Sequence, residues 1–351
     1  LKSTFLMNST QQTVVIVSPA LADANNGNWQ TARRWQQLLQ SPGGAALPRK
    51  ARIVTQWPDG PLALTDQCML ALHARRSASS VAAWANSRSS GQTDSAVTQP
   101  VPGLAVVLTG TDLYRDILTD PVAQRSLQLA QCLVVLQAMG LSALPNALQA
   151  RARVIFQSTP ARVALPKPTR FLKALMVGHL REEKSPETLF AAARLLAPAD
   201  AIRLDHIGAP LDAALADLAQ ATALICPNYR WLGGLPHNTT RRHMQRAHVL
   251  VHTSRMEGGA HVVMEAVRCA TPVLASRIAG NVGMLGEDYA GYFDWNDASR
   301  LVALLRQCRD DAAYLAHLQS QCAMRAPLFS TEVERQALHA LIDSLLPAPA
   351  A

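Results

Sequence analysis

Short runs of β-branched and apolar residues recur along this chain, each followed by a polar loop and then a stretch of helical length. Six such runs stand in the first half: Val14–Val17, Arg52–Thr55, Cys68–Leu72, Leu104–Leu108, Leu133–Leu136 and Val154–Phe156. Five stand in the second: Leu172–Val177, Ile202–Ile207, Ala223–Cys226, Val249–His252 and Pro272–Ala275. Runs this apolar suit strands buried on both faces, and regular alternation with helices predicts parallel sheets covered on both sides. Trp29–Gln40, Ser77–Ser95, Val122–Gln131 and Leu211–Gln220 read as helices or polar connections. Ser185-Pro186-Glu187 reads as a helix start with a serine cap. Thr331–Leu346 reads as a last helix capped by Ser330. Between the halves, Pro160–Pro168 holds three prolines in nine residues and reads as a linker.

Two doubly wound sheets predict ligand binding at the carboxyl ends of the strands, in a cleft between two Rossmann-like domains. The 351 residues suffice for two domains. The boundaries read as a disordered or non-native start at 1–12, with Met7 as the expected native start, a first domain at 13–165 and a second at 166–326. A C-terminal helix at 327–348 is expected to cross back to the first domain.

The net charge of +8 comes with only five lysines among 33 basic residues. That balance invites an anionic partner without choosing one. Aromatic residues make up 5% and no lysine- or arginine-rich run occurs, which argues against nucleic acid and against a basic membrane anchor. No apolar run approaches the ~20 residues of a membrane helix, so no membrane insertion is expected. The six cysteines form no CxxC pair and read as buried thiols in a reducing compartment. Leu1–Ser9 lacks the long apolar core of a secretory signal, so the expected address is the cytoplasm.

The loops after the strands carry the chemistry. Glu257 and Glu265 stand with seven residues between them. Glu257 sits just after a strand, and Gly258, Gly259, Ala260, His261 and Val262 lead into a helix. Amides at a helix start suit a diphosphate. Glu257 can accept from sugar hydroxyls, and Glu265, about two turns in, from a ribose. The plain alternative is an acidic cap and an exposed helix glutamate. Asn25, Asn26, Gly27 and Asn28 follow the first strand and suit hydroxyl or phosphate oxygens, or else form an ordinary turn. His73, Arg75 and Arg76 follow another strand; the two arginines suit an oxyanion, or are solvated surface charge. Thr109, Gly110, Thr111 and Asp112 open a loop after a central strand, where the glycine permits close approach to a ligand; Asp112 alternatively caps a turn. Tyr229-Arg230-Trp231 reads as a loop after a strand, where Trp231 either faces a base or plugs the core. His248 and His252 share no helical face. No metal site is expected.

The E-x7-E pattern with Cys269–Ser276 resembles the C-terminal half of retaining GT-B nucleotide-sugar glycosyltransferases. So does Val177–Pro186. The resemblance implies a GT-B fold, with Lys184 on the donor diphosphate and Arg230 and Trp231 near the base. His179 stands where that family has an arginine, and Arg181 is the candidate to supply its charge. Gly258-Gly259-Ala260-His261 stands where Gly-Phe-Gly-Leu is usual. In the first half, Asn25–Trp35, Ala71–Ser77 and Thr109–Asp116 resemble the selenosugar synthases of selenoneine biosynthesis. That implies a C–Se bond formed between the glycosyl group of a UDP-sugar, with UDP-N-acetylglucosamine expected, and selenophosphate, releasing UDP and phosphate. No cofactor is expected.

On this reading Lys184, Glu257 and Asp112 are the catalytic candidates. Gly27, Asn28, His179, Arg181, Arg230, Trp231, Gly258–Val262 and Glu265 join Lys184 and Glu257 at the donor. Asn25, Asn26, His73, Arg75, Arg76 and Thr109–Thr111 hold the acceptor. The clan's histidine near Thr109 is absent, as suits an acceptor already deprotonated. The alternatives are a GT-B glycosyltransferase with a hydroxyl or thiol acceptor, and a non-catalytic basic binding protein.

Overall fold

The computed structural model describes residues 12–20, 27–42, 47–89 and 99–346. The chain divides into two compact units. One comprises Leu1–Val135, Leu144–Ile155 and Arg335–Ala351, the other Leu136–Ala143 and Phe156–Glu334.

The first unit carries β1 (Thr13–Val17), α1 (Gly27–Gln40), β2 (Lys50–Val54), β3 (Cys68–Leu72), α2 (Ala78–Arg88), β4 (Val101–Leu108), α3 (Ile117–Thr119), α4 (Pro121–Leu129), β5 (Ala130–Val135), α5 (Asn146–Gln149) and β6 (Ala152–Val154). Its six strands are parallel, in the order β2-β1-β3-β4-β5-β6. Cys68–Leu72 is buried at every position, as a central strand covered on both faces must be. The last strand is shorter than the apolar run at Val154–Phe156 suggests, because Phe156 leaves the sheet and packs on the core of the second unit. The run Val122–Gln131 also divides. The helix, capped by Asp120, ends at Leu129, and Ala130 already pairs with β4.

The second unit carries β7 (Leu172–Val177), α6 (Pro186–Leu195), β8 (Ile202–Ile207), α7 (Ala213–Ile225), β9 (Tyr229–Trp231), α8 (His237–Arg246), β10 (Val249–His252), α9 (His261–Val267), β11 (Val273–Ser276), α10 (Ala279–Leu285), β12 (Tyr292–Phe293), α11 (Ala298–Asp310) and α12 (Ala312–Arg325). Its strands are parallel, in the order β12-β11-β10-β7-β8-β9. The strand order reverses between β7 and β10, so the loops leaving these two neighbours open a crevice where a doubly wound sheet binds ligands.

Three local expectations change. Ala223–Cys226 is no strand. Asp212 caps α7, its carboxylate accepting from Leu215 N at 3.0 Å, and the alanine-rich helix runs on to Ile225. Leu224 and Ile225 end it exposed, at 87% and 66%, so their apolar character marks no buried strand. The outer strand is instead β9, which turns Tyr229–Trp231 from a loop into sheet. Ser185 precedes α6 but makes no cap; it adopts φ 44°, and its hydroxyl accepts from Trp295 Nε1 at 3.0 Å.

The proline-rich run lies within the second unit. Arg162 N donates to Arg268 O and Leu165 N to Gln245 O, at 2.9 and 3.0 Å. The final helix, α13 (Thr331–Leu345), starts at the serine expected, with Ser330 Oγ accepting from Val333 N. Its residues from Arg335 onward belong to the first unit. There Leu338, Leu341, Ile342 and Leu345 are buried, and the buried Arg49 binds His339 and Asp343. All six cysteines are buried free thiols. Among the described residues, no helix is long and apolar enough to cross a membrane.

Candidate functional site

In the second unit the site grows from the ends of β7 and β10. The turn at 182–184 leaves β7, and Lys184 extends its ammonium to the Glu257 carboxylate, the two side chains being 14% and 11% exposed. These residues are 73 apart in sequence and meet because β7 and β10 are neighbours in the sheet. The loop after β10 is bolted to that turn: Thr253 Oγ1 donates to Lys184 O at 2.7 Å, and Arg255 N donates to Glu183 O at 3.0 Å. Arg255 also pairs with Glu182 at 2.8 Å. His252, the last residue of β10, lies behind Glu257 with Nε2 3.3 Å from Oε1, in reach but off the line of a hydrogen bond.

Burial alone would push the Glu257 carboxyl up, but the Lys184 ammonium and His252 hold it well below the usual carboxylate range. Burial pushes His252 down against the opposing pull of Glu257, so the imidazole is neutral beside an ion pair. Close approach fixes the backbone here. A Cβ on Gly280 would stand 2.1 Å from Glu257 O, and one on Gly259 would stand 2.8 Å from Leu136 Cβ. Only glycine lets α10 and residue 136 approach the loop so closely.

The rest of the expected donor residues divide. Gly258, Ala260 and Val262 are buried, and Ala260 N, at the start of α9, donates to Met284 Sδ at 3.1 Å. His261 is half-buried. Glu265, on α9, accepts from His237 Nε2 at 2.6 Å and lies 3.6 Å from the buried Arg241 guanidinium. His179 is exposed, with Nδ1 accepting from Ala209 N at 3.0 Å; partial desolvation of the ring, then Arg181 and Lys184, push it down, which disfavours its cationic form. Arg181 is exposed and 4.0 Å from Glu183. Arg230 is committed elsewhere: Nε and Nη2 donate to the buried Asp205 at 2.9 and 2.6 Å. Trp231 packs on the core and donates from Nε1 to Gly208 O at 2.9 Å.

In the first unit the strand order reverses between β1 and β3. Asn25 and Asn26 lie outside the described residues. Gly27 and Asn28 open α1. His73 leaves β3 with φ 73°, a conformation side chains rarely adopt, and is buried. Its Nε2 sits 3.1 Å from Thr111 Oγ1, and its Nδ1 accepts from Arg76 N at 3.3 Å. Burial, opposed by Asp112, holds this imidazole low and neutral.

A histidine therefore does stand at the Thr109 loop. The sequence hides it because it arrives from β3, 38 residues before Thr111. Asp112 is fully buried and accepts from three backbone amides: Thr109 N and Gly110 N on Oδ1 at 2.8 and 2.9 Å, and Ala74 N on Oδ2 at 2.9 Å. It staples the Thr109 loop to the His73 loop and shows no face to solvent. The turn-residue alternative describes it. Arg75 is exposed and pairs with Asp120 at 2.7 Å. Arg76 is exposed and has no ion-pair partner among the described residues.

The sequence reading did not single out His252, His237, Arg241 or Gly280 for a role here. The available signal was position for three of them: His252 ends β10, and His237 and Gly280 stand in the first turns of α8 and α10, whereas Arg241 lies in the middle of α8.

Residues 157–323 match the family model described as Glycosyl transferases group 1. This span contains Lys184, Glu257 and Glu265. No curated protein matches the chain by sequence. Among solved structures, Alr3699/HepE of Anabaena in complex with UDP and glucose aligns with a TM-score of 0.69 at 13% identity, over 95% of this chain and 100% of that one. A sucrose-phosphate synthase of Thermosynechococcus elongatus aligns with a TM-score of 0.72 at 17% identity, over 95% and 99%. The lipopolysaccharide outer core galactosyltransferase WaaB aligns with a TM-score of 0.66 at 12% identity, over 94% and 99%. These likenesses show the fold. Two parallel six-stranded sheets flanked by helices form the GT-B architecture that the first resemblance implies.

Proposed function

We propose that the chain is a glycosyltransferase that takes a UDP-sugar in its second unit and transfers the glycosyl group to selenophosphate. The donor half rests on one observation: Lys184 and Glu257 meet at the reversal of strand order, inside the span that matches the glycosyltransferase model. HepE binds UDP and glucose on the same fold, which supports the choice of donor. Lys184 offsets charge developing on the leaving diphosphate, Glu257 accepts from sugar hydroxyls, and Glu265 accepts from the ribose. Selenium attacks C1 as the C1–O bond to UDP breaks; water then cleaves Se–P and releases phosphate. The selenium acceptor rests on the resemblance of Ala71–Ser77 and Thr109–Asp116. Arg76, exposed beside the His73 loop, is the cation best placed for an oxyanion, because Arg75 is held by Asp120.

A second reading keeps the donor and replaces the acceptor with a hydroxyl or thiol. His73 favours it, since a neutral imidazole at the Thr109 loop is the right kind of group for a base. Against it, both ring nitrogens already have neighbours and the residue is 2% exposed. The assay that separates the readings incubates purified protein and UDP-N-acetylglucosamine with selenophosphate, thiophosphate, a thiol or an alcohol. Mass spectrometry of the product follows. UDP release with a selenium isotope pattern is expected; a glycosylated alcohol or thiol with no selenium product overturns the selenium reading.

A further inference from the structure

Two of the groups assigned to the donor, Lys184 and Glu257, are bound to each other. A diphosphate that recruits Lys184 must take it from Glu257, leaving a buried carboxylate without its cation. Uncompensated buried charge is costly, so the carboxylate either moves, takes a proton or finds another partner. Among the described residues, one other titratable group stands beside it. His252 is 2% exposed at the end of β10, and its Nε2 has no hydrogen-bond partner among the described residues while lying 3.3 Å from Glu257 Oε1. The charged and titratable groups facing its ring are Glu257, from its own loop, and Lys184, from the turn after β7. β10 is flanked by β7 and β11, so the ring cannot leave with the ligand.

We propose that His252 is the standby partner of Glu257: when a diphosphate draws Lys184 away, the imidazole takes up a proton from solvent and holds the carboxylate in place. His252 is thus a positioning residue. It touches no substrate, and it keeps Glu257 charged and oriented toward the sugar. Before binding, the ammonium balances the carboxylate and the imidazole stays neutral. After binding, the ammonium balances phosphate and the imidazolium balances the carboxylate. This exchange rests on the donor reading above.

The test follows His252 by NMR in the full chain, its signal assigned by comparison with His252→Gln. Saturating the wild-type protein with UDP should raise the His252 titration midpoint by about one pH unit or more, as expected when a facing cation departs from a buried group. Lys184→Met should raise it in the same direction with no ligand present. Calorimetry of UDP binding at pH 6.5, in two buffers of different ionisation enthalpy, should show net proton uptake that is diminished in His252→Gln. UDP binding with His252 unmoved and no proton uptake overturns the exchange and leaves the donor reading standing. A wild-type protein that binds no UDP overturns both, even where Lys184→Met moves His252.

Discussion

Asp112 and Glu257 are two buried carboxylates just past strand ends, each with a buried histidine beside it, and they are neutralised in opposite ways. Asp112 is held by three backbone amides, with His73 3.9 Å away. Glu257 is held by a side-chain ammonium, with His252 3.3 Å away. Backbone amides cannot leave without unfolding the loop, so Asp112 builds the shape of its loop. A lysine on four rotatable carbons can be drawn off by a stronger anion, so Glu257 can be released to a ligand. The same residue chemistry past a strand end is neutralised by backbone in one sheet and by a side chain in the other.

The sharpest way to break this contrast is to remove Asp112. Asp112→Ala leaves three buried amides unpaired and should destabilise the first unit by about 3–5 kcal/mol, from ~1–3 kcal/mol per lost partner. Urea denaturation should show the lowered midpoint, with Asp112→Asn losing less because Oδ1 can still accept two of the bonds. A midpoint within error of wild type would put Asp112 on the functional side of the comparison.

Lys184→Met should act on turnover instead, lowering it about 10²–10³-fold, the scale of one lost charge contact in the transition state. Pairing it with Glu257→Gln should restore part of the stability lost in the single variant, because the uncompensated charge is gone, without restoring turnover. Recovery of activity in the double variant would contradict the roles assigned to both groups.

Acid should weaken the second unit. Burial pushes His206 down to about 4, with Nδ1 accepting from Tyr229 Oη–H and Nε2–H donating to Gly178 O. An unfolded histidine titrates near 6.5, so the unfolded chain binds more protons between those values. Stability is therefore full above about pH 6.5 and falls as pH drops toward 4, by about 2 kcal/mol at pH 5 from this residue. Burial also leads the downward shifts of His179, His243, His248 and His252, all in this unit, which add in the same direction. Hydrogen exchange at pH 5 and 7 measures whether the second unit opens first.

Smaller effects sharpen the ligand assignments. Glu265→Ala should weaken UDP binding about 5- to 150-fold by calorimetry, from ~1–3 kcal/mol for unpaired ribose hydroxyls. Arg76→Ala should raise the selenophosphate KM about tenfold, at the low end of a charge-assisted contact. Arg75→Ala should change it little, since its exposed pair with Asp120 is worth under about 1 kcal/mol. Equal effects at both arginines would show that Asp120 releases Arg75 to the acceptor.

Most of the fold was legible from local pattern. Central strands such as Cys68–Leu72 are apolar along their length because both faces are covered, and that shows without any partner in view. The pattern failed where an apolar run lay elsewhere than in a strand. Ala223–Ile225 form the exposed last turn of α7, and the three-residue edge strand Tyr229–Trp231 is too short and polar to announce itself. At the site, the residue types at the strand ends could be read, because a doubly wound sheet makes those loops the binding loops whatever their sequence. Which of those residues were already engaged could not. Arg230 looked free to meet a base, and only the register of β8 against β9 places it opposite Asp205.

The sequence by itself determined the alternation of strands and helices, the two-sheet plan and the glutamates and lysine at the ends of β7 and β10, because apolar runs and strand-end loops are local properties of the chain. The tertiary structure alone decided the partners. Lys184 meets Glu257, His252 stands behind it, His73 reaches the Thr109 loop and Asp112 disappears under three amides, because strand order brings together residues 38 and 73 positions apart. A carboxylate's role depends on whether backbone or side chain neutralises it, and that is a property of the neighbours the sheet supplies.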